Sequence, residues 1–233
     1  MTSTKRFCSN KPIDMLKLVP EAWTTALWRT TAKMWEGGRI PRMWKRTLLV
    51  PVPKEPGTRD LRKLRPIQLL EVTRKVWMGA LWRRIDRVLT DRQTLRRSQH
   101  GARRGAEAAQ AIQALISCAQ TAKSNGEELH VVSIDLKRAF DYTPRWGLRI
   151  ALLRAGVPRR VVEAKLRVEE NATTYVRTEW ATEQRYNVCS FRAERGTPQG
   201  AVESAGMFAL FLDMLLSLLE THSPCPAELI DAE

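Results

Sequence analysis

Hydrophobic and polar positions follow two periods along this chain, and the switches between them mark out its elements. Val131, Ser133 and Asp135 alternate with Val132, Ile134 and Leu136, a period of two that predicts a strand. Residues 47–54 form an apolar, β-branched run that predicts another. Pro51 and Pro53 would confine it to a sheet edge, because neither nitrogen can donate to a ladder. Residues 173–178 and 185–191 predict the two strands of a hairpin. The longer period appears first in residues 20–35, where Trp23, Leu27 and Met34 recur at helical spacing. Pro20 and Glu21 suit the first turn there, and Gly37-Gly38 ends it. Residues 69–90 predict a long helix with Val72, Val76, Leu81, Ile85 and Val88 inward. Residues 105–123 predict an alanine-rich one with Ala108, Ile112, Leu115 and Ile116 on one side, closed by Ser124-Asn125-Gly126. Further helices are predicted over 143–155, 158–170 and 202–221.

Composition narrows what such a chain does. Its 233 residues suffice for one large core or two modest ones, and the 43% hydrophobic content is that of a globular protein. The Ser124-Asn125-Gly126 break is the candidate boundary between two subdomains. Lysine and arginine total 39 against 25 acids, a net charge of +14, which predicts attraction to polyanions, nucleic acid above all. Cys8, Cys118, Cys189 and Cys225 are far apart, with no C-x-x-C pair. That spacing suggests neither a zinc site nor a disulfide framework, and free thiols suit a reducing compartment. Residues 1–10 lack the apolar run of a signal peptide, and the apolar stretch 210–219 is short and interrupted by Asp213. The expectation is a protein of the nucleus or cytoplasm.

Three stretches carry candidate chemistry. Asp135 stands where a strand gives way to Lys137 and Arg138. An acid so placed faces solvent, a partner or a metal, since burying it alone is costly. Arg195-Gly196-Thr197-Pro198-Gln199-Gly200 lets backbone pass close to a substrate and opens a helix whose first N–H groups are unpaired. Read alone, the same residues are equally a plain turn. Residues 91–104 are strongly basic, which fits a solvated face or a phosphate-backbone contact.

Taken together, Asp135 with Ala139-Phe140-Asp141, followed by the Gly-Thr-Pro-Gln-Gly loop, resemble motifs A and B of reverse transcriptases, especially those of non-long-terminal-repeat retroelements. Pro41, Trp44, Lys45, Val50, Pro51, Pro53 and Lys54, then Arg65, Pro66, Ile67 and Leu69, resemble the fingers of the same enzymes. Ser98-Gln99-His100-Gly101-Ala102-Arg103 looks like their Q-x-G-F-R element, with Ala102 in place of the usual aromatic. The resemblance covers roughly residues 20–221. It implies an α+β right-hand polymerase, helix-rich, with fingers (20–125) and a partial palm (126–222) on a ferredoxin-like sheet. A loose segment (1–19) and a truncated tail (223–233) would flank them, with no thumb.

The resemblance also implies roles. Asp135 would be the catalytic acid and a Mg²⁺ (or Mn²⁺) ligand, joined by the Leu136 carbonyl. Two such ions about 4 Å apart stabilise the attacking and leaving oxygens of nucleotidyl transfer. Lys54 and Arg65 would neutralise the triphosphate. Phe140 would gate against ribonucleotides, and Gln199 and Gly200 would border the incoming nucleotide. Arg96, Arg97, Arg103 and Arg104 would contact nucleic acid. The implied partners are an RNA template, a DNA primer and deoxynucleoside triphosphates. The chain departs from the family in two places. Ala201-Val202-Glu203-Ser204-Ala205-Gly206 replaces a commoner Ser-x-x-Ser-Pro, and no Tyr/Phe-x-Asp-Asp occurs anywhere in the sequence. Three readings follow: part of a reverse transcriptase, nearly inactive alone; a decayed remnant that still binds nucleic acid; or a basic helical module matching two motifs by chance. Absence of a strand around Asp135 would favour the last.

Overall fold

The computed structural model describes residues 21–36, 39–58, 60–177 and 190–222. Helix α1 (Glu21–Trp35) leads through a 3-10 turn (Arg42–Lys45) into strand β1 (Arg46–Pro53). A second 3-10 turn (Leu61–Lys63) opens β2 (Leu64–Leu69), after which α2 (Val72–Asp91) and α3 (Ala108–Asn125) follow. Beyond them come the single turn α4 (Ala139–Tyr142), then α5 (Arg145–Arg154) and α6 (Arg159–Glu169). Strands β3 (Thr173–Val176) and β4 (Ser190–Arg192) precede the last helix, α7 (Ser204–His222). The predicted hairpin is thus present as β3 and β4, although residues 178–189 lie outside the described set, as do Pro20 and Gly37-Gly38 at the ends expected for α1.

The four strands form one sheet in the order β2-β1-β3-β4. Strand β1 pairs antiparallel with β2 from Leu48↔Leu69 to Pro53↔Leu64, and parallel with β3 from Arg46↔Thr173 to Leu49↔Val176. It is therefore interior, not the edge its prolines predict. Both features coexist because the β3 ladder stops at Leu49. Among the described residues, Pro51 and Pro53 fall on the half of β1 that has a neighbour on one side only, where a missing donor costs no bond.

Two apolar clusters hold the elements together. The larger joins Leu89 of α2, Leu148 and Leu152 of α5, Val162 of α6, and Met207 and Leu210 of α7. The smaller gathers Met34, Trp44 and Val168, with Trp77 tilted against Trp44. Helix α5 starts after Pro144, which suits an N-terminus, and Gly156 lies just past its end, as the sequence predicts. In α2 the inward face agrees with expectation at Ile85, which packs on the larger cluster, and at the half-buried Val72 and Leu81, but not at two valines. Val76 and Val88 are exposed, while Arg74, Met78, Gly79 and Leu89 are buried.

Residues 131–136 carry no assigned strand and pair with none of the described strands. Val132 and Ile134 are about four-fifths exposed. Alternation supplies only one side of a ladder, and without a neighbouring strand its backbone groups go to water. Helix α3 likewise buries only Ala114, leaving Ile112, Leu115 and Ile116 in solvent.

Candidate functional site

A large cleft of about 900 Å³ lies between β1–β2, the start of α5 and the 192–199 segment. Its lining is strongly cationic. Lys54, Arg62 and Arg65 come from one wall, Arg138 and Arg145 from another, Arg192 and Arg195 from a third, and Arg74 from the floor. The carboxylates there are Asp141, Glu169 and Glu194. Such a surplus of guanidinium groups suits a polyphosphate, whose oxygens match their forked donors.

The Gly-Thr-Pro-Gln-Gly loop forms one rim and is bonded into place. Gly196 N–H donates to the Thr143 carbonyl at 2.7 Å, and Thr197 N–H to the Phe140 carbonyl at 2.9 Å. Gln68 N–H of β2 donates to the Gln199 carbonyl at 2.7 Å, and Ser204 Oγ donates to the Pro198 carbonyl at 2.8 Å. Two glycines make this approach feasible. Gly196 has φ +87°, and a Cβ there would lie 2.8 Å from the carbonyl oxygens of both Phe140 and Asp141. Gly200 has φ +114°, and its Cβ would lie 2.8 Å from the Gln68 carbonyl. Only glycine fits both the left-handed backbone and the contact. The Gln199 side chain then turns to α4, its Nε2 donating to Asp141 Oδ1 at 3.0 Å. The Arg195 guanidinium lies 4.3 Å from the centre of the Tyr142 ring, and Arg145 donates to the Ala193 carbonyl.

Beneath the cleft runs a buried charge cluster. Arg74 donates to the Trp44 carbonyl at 2.8 Å and lies 3.9 Å from Glu169. Glu169 in turn pairs with Lys165 at 2.7 Å. Glu71 accepts from the Arg74 N–H at 3.0 Å and from the Thr73 hydroxyl. Glu203, three residues past the loop, is 1% exposed. Burial pushes its pKa above the usual 4.5. The Lys165 charge opposes that rise and the Glu169 charge adds to it.

The structure thus brings Lys54, Arg65 and Gln199 to one cleft. Gly200 sits at its edge against β2. Phe140 contributes its carbonyl to the loop, while its ring packs on Phe208 of α7 with centroids 5.3 Å apart. Asp135 and Leu136 are exposed on the extended stretch before α4 and do not line the cleft. Arg96, Arg97, Arg103 and Arg104 gather around a second cleft of about 480 Å³, together with Trp82 and Asp86. Two of them also hold structure. Arg96 lies against Asp213, and Arg103 donates to the carbonyls of Arg96 and Arg97 at 2.8 Å each. Arg97 and Arg104 are exposed.

Asp135 and the Leu136 carbonyl are hard oxygen donors of the kind Mg²⁺ takes, an ion that completes its octahedron with water and substrate phosphate. Among the described residues no three His, Cys, Asp or Glu side chains cluster at metal-binding distance.

The sequence pattern does not single out Asp141, Arg138 or Arg145. Asp141 stands inside the Ala-Phe-Asp triplet, the one signal that marks it. Arg138 shows itself by a left-handed φ of +53° at the cap of α4, which sequence does not display. Nothing local distinguishes the buried Arg74 from the exposed arginines elsewhere on α2.

The family model for reverse transcriptase (RNA-dependent DNA polymerase) matches residues 52–228, well over half the chain. The chain belongs to that family. No curated protein matches it closely enough to count as a relative. Family membership overturns the chance-match reading, even though the strand expected around Asp135 is not formed. Among the described residues no helix is long and apolar enough to cross a membrane.

Proposed function

We propose that this chain forms the fingers (20–125) and the front of the palm (126–222) of a reverse transcriptase of the non-long-terminal-repeat retroelement type, making DNA on an RNA template. The main cleft receives a deoxynucleoside triphosphate. Lys54 and Arg65 meet its phosphates, Gln199 and Gly200 border it, and Phe140, whose ring here packs on Phe208, would have to turn toward the sugar to act as a gate. Arg96, Arg97, Arg103 and Arg104 hold the phosphate backbone of template or primer around the second cleft. Asp135, with the Leu136 carbonyl, binds one divalent cation, Mg²⁺ or Mn²⁺. Such an ion would neutralise charge on the reacting phosphate and lower the pKa of the attacking hydroxyl.

One observation carries this reading: the Ala-Phe-Asp turn and the Gly-Thr-Pro-Gln-Gly loop, remote from each other in sequence, are hydrogen-bonded at the rim of a cleft dominated by arginine and lysine. Because the sequence holds no Tyr/Phe-x-Asp-Asp, the chain by itself polymerises little or nothing, and synthesis requires a second acid pair facing Asp135. Primer extension on an RNA template with Mg²⁺ tests this. Robust extension by the chain, abolished by Asp135→Ala, would contradict the requirement. Template–primer binding measured by filter retention should weaken steeply between about 50 and 200 mM salt as counterion release loses its drive. Affinity independent of salt would remove the nucleic-acid role of the arginines.

A further inference from the structure

Tyr142 closes the single turn α4 and lines the main cleft, yet it is 49% exposed. Its backbone is held from both directions. Its own N–H donates to the Arg138 carbonyl at 3.1 Å, and the carbonyl of the next residue, Thr143, accepts from Gly196 N–H at 2.7 Å. That second bond brings Arg195 alongside, and the guanidinium lies over the phenol ring, 4.3 Å from its centre. One face of the ring is therefore covered by a cation. The exposure that remains belongs to the opposite face and the edge. Phe191 of β4, 45% exposed, lines the same cleft.

Exposed rings among Arg138, Arg145, Arg192 and Arg195 offer the two things that a single nucleic-acid strand requires. Flat apolar faces receive unpaired bases, and cations meet the phosphates between them. A triphosphate on Lys54 and Arg65 would leave the arginines around Tyr142 unused. We infer that the open face of the Tyr142 ring, backed by Arg195, stacks on an unpaired base of a strand lying in the main cleft, with the strand's phosphates on Arg138 and Arg192. The contact is tolerant of sequence, because every base has a π-face, and the cation behind the ring holds it in place before the strand arrives. This deepens the reading of the cleft as a polymerase's nucleic-acid site and rests on it.

The test titrates the full chain with a labelled oligothymidylate of about 12 nucleotides and with an abasic strand of the same length, which keeps the phosphates and removes the bases. Fluorescence anisotropy reads affinity, and circular dichroism melts report folding. The wild type should prefer the base-bearing strand. Tyr142→Ala should lose about tenfold in affinity for it, the worth of one stacked base, with no loss toward the abasic strand and no change in salt slope. Tyr142→Leu, which keeps apolar bulk without a flat face, should behave alike and stands in if the alanine variant melts. Tyr142→Phe and Tyr142→Trp should retain the preference. Arg192→Ala should weaken both strands equally and lower the salt slope by about one. Trp146→Ala removes an exposed aromatic that does not line the cleft and should change neither strand. Equal losses toward both strands in Tyr142→Ala and Tyr142→Leu would overturn the inference. Calorimetry with dATP and Mg²⁺ should show the same affinity in wild type and Tyr142→Ala; a loss there with strand binding intact would give the ring to the incoming nucleotide and overturn the strand assignment. Wild-type binding that ignores the bases would remove the stacking contact and leave a cationic groove. If the wild type binds neither strand, the inference falls together with the nucleic-acid reading.

Discussion

The two halves of one short stretch behave in opposite ways. Residues 139–143 are joined to the 196–199 loop by three backbone or side-chain hydrogen bonds and by a glycine packed on their carbonyls. Residues 131–136, immediately upstream, pair with none of the described strands and leave Val131, Val132, Ile134 and Leu136 exposed. The upstream half has the better local pattern and the downstream half the better partners. Partners decide, because a backbone amide gains from a fixed acceptor only when something holds that acceptor.

The contrast can be broken hardest from below the loop. Glu169→Gln leaves Arg74 and Lys165 buried without their shared counter-charge, and urea unfolding should show a loss of about 3–5 kcal/mol. Gly196→Ala forces a Cβ onto two carbonyls at an unfavourable φ. A loss of about 3 kcal/mol is expected, together with faster exchange of the Thr197 amide hydrogen. Unchanged stability in either variant would mean that the docked half owes nothing to these contacts.

Glu203→Gln acts in the opposite direction and depends on pH. Burial holds the Glu203 pKa above its ordinary 4.5. The contribution of its neutral form is complete below that value and is lost as pH rises through the folded-state pKa. Removing the titration should therefore stabilise the protein at about pH 8, with the gain shrinking toward about pH 4, as read from melting temperatures across that range. A gain that is flat with pH would exclude titration of Glu203 as its cause. The smallest effect belongs to the unpaired half. Val132→Thr and Ile134→Thr should each change stability by less than about 0.5 kcal/mol, and a larger loss would show that this segment is buried in solution.

Much of the fold is legible in the sequence. The helices from 143 to 170 are bounded by Pro144, Gly156 and Pro158, and their limits follow from proline and glycine chemistry alone. The loop and the Ala-Phe-Asp turn can be identified because glycine, proline and a short polar motif signal locally. What cannot be seen is whatever depends on a distant partner. The interior place of β1 is fixed by β3, far along the chain. The burial of Arg74 is fixed by Trp44 and Glu169, and the role of Asp141 by Gln199. Periodicity places Ile85 of α2 correctly against the core but errs at Val76 and Val88, which are exposed, and does not mark the buried Arg74.

The register of β1 against β3 pairs Arg46 with Thr173 and Leu49 with Val176. Parallel neighbours so remote must wait for one another during synthesis: when the ribosome has released β1 and β2, the third strand has not been made. That half-finished sheet presents the open edge of Arg46–Leu49 to the cell while roughly a hundred further residues are added. Folding of this protein is thus expected to be late and slow relative to its translation, and its yield to depend on chaperones that occupy the border until Val176 emerges.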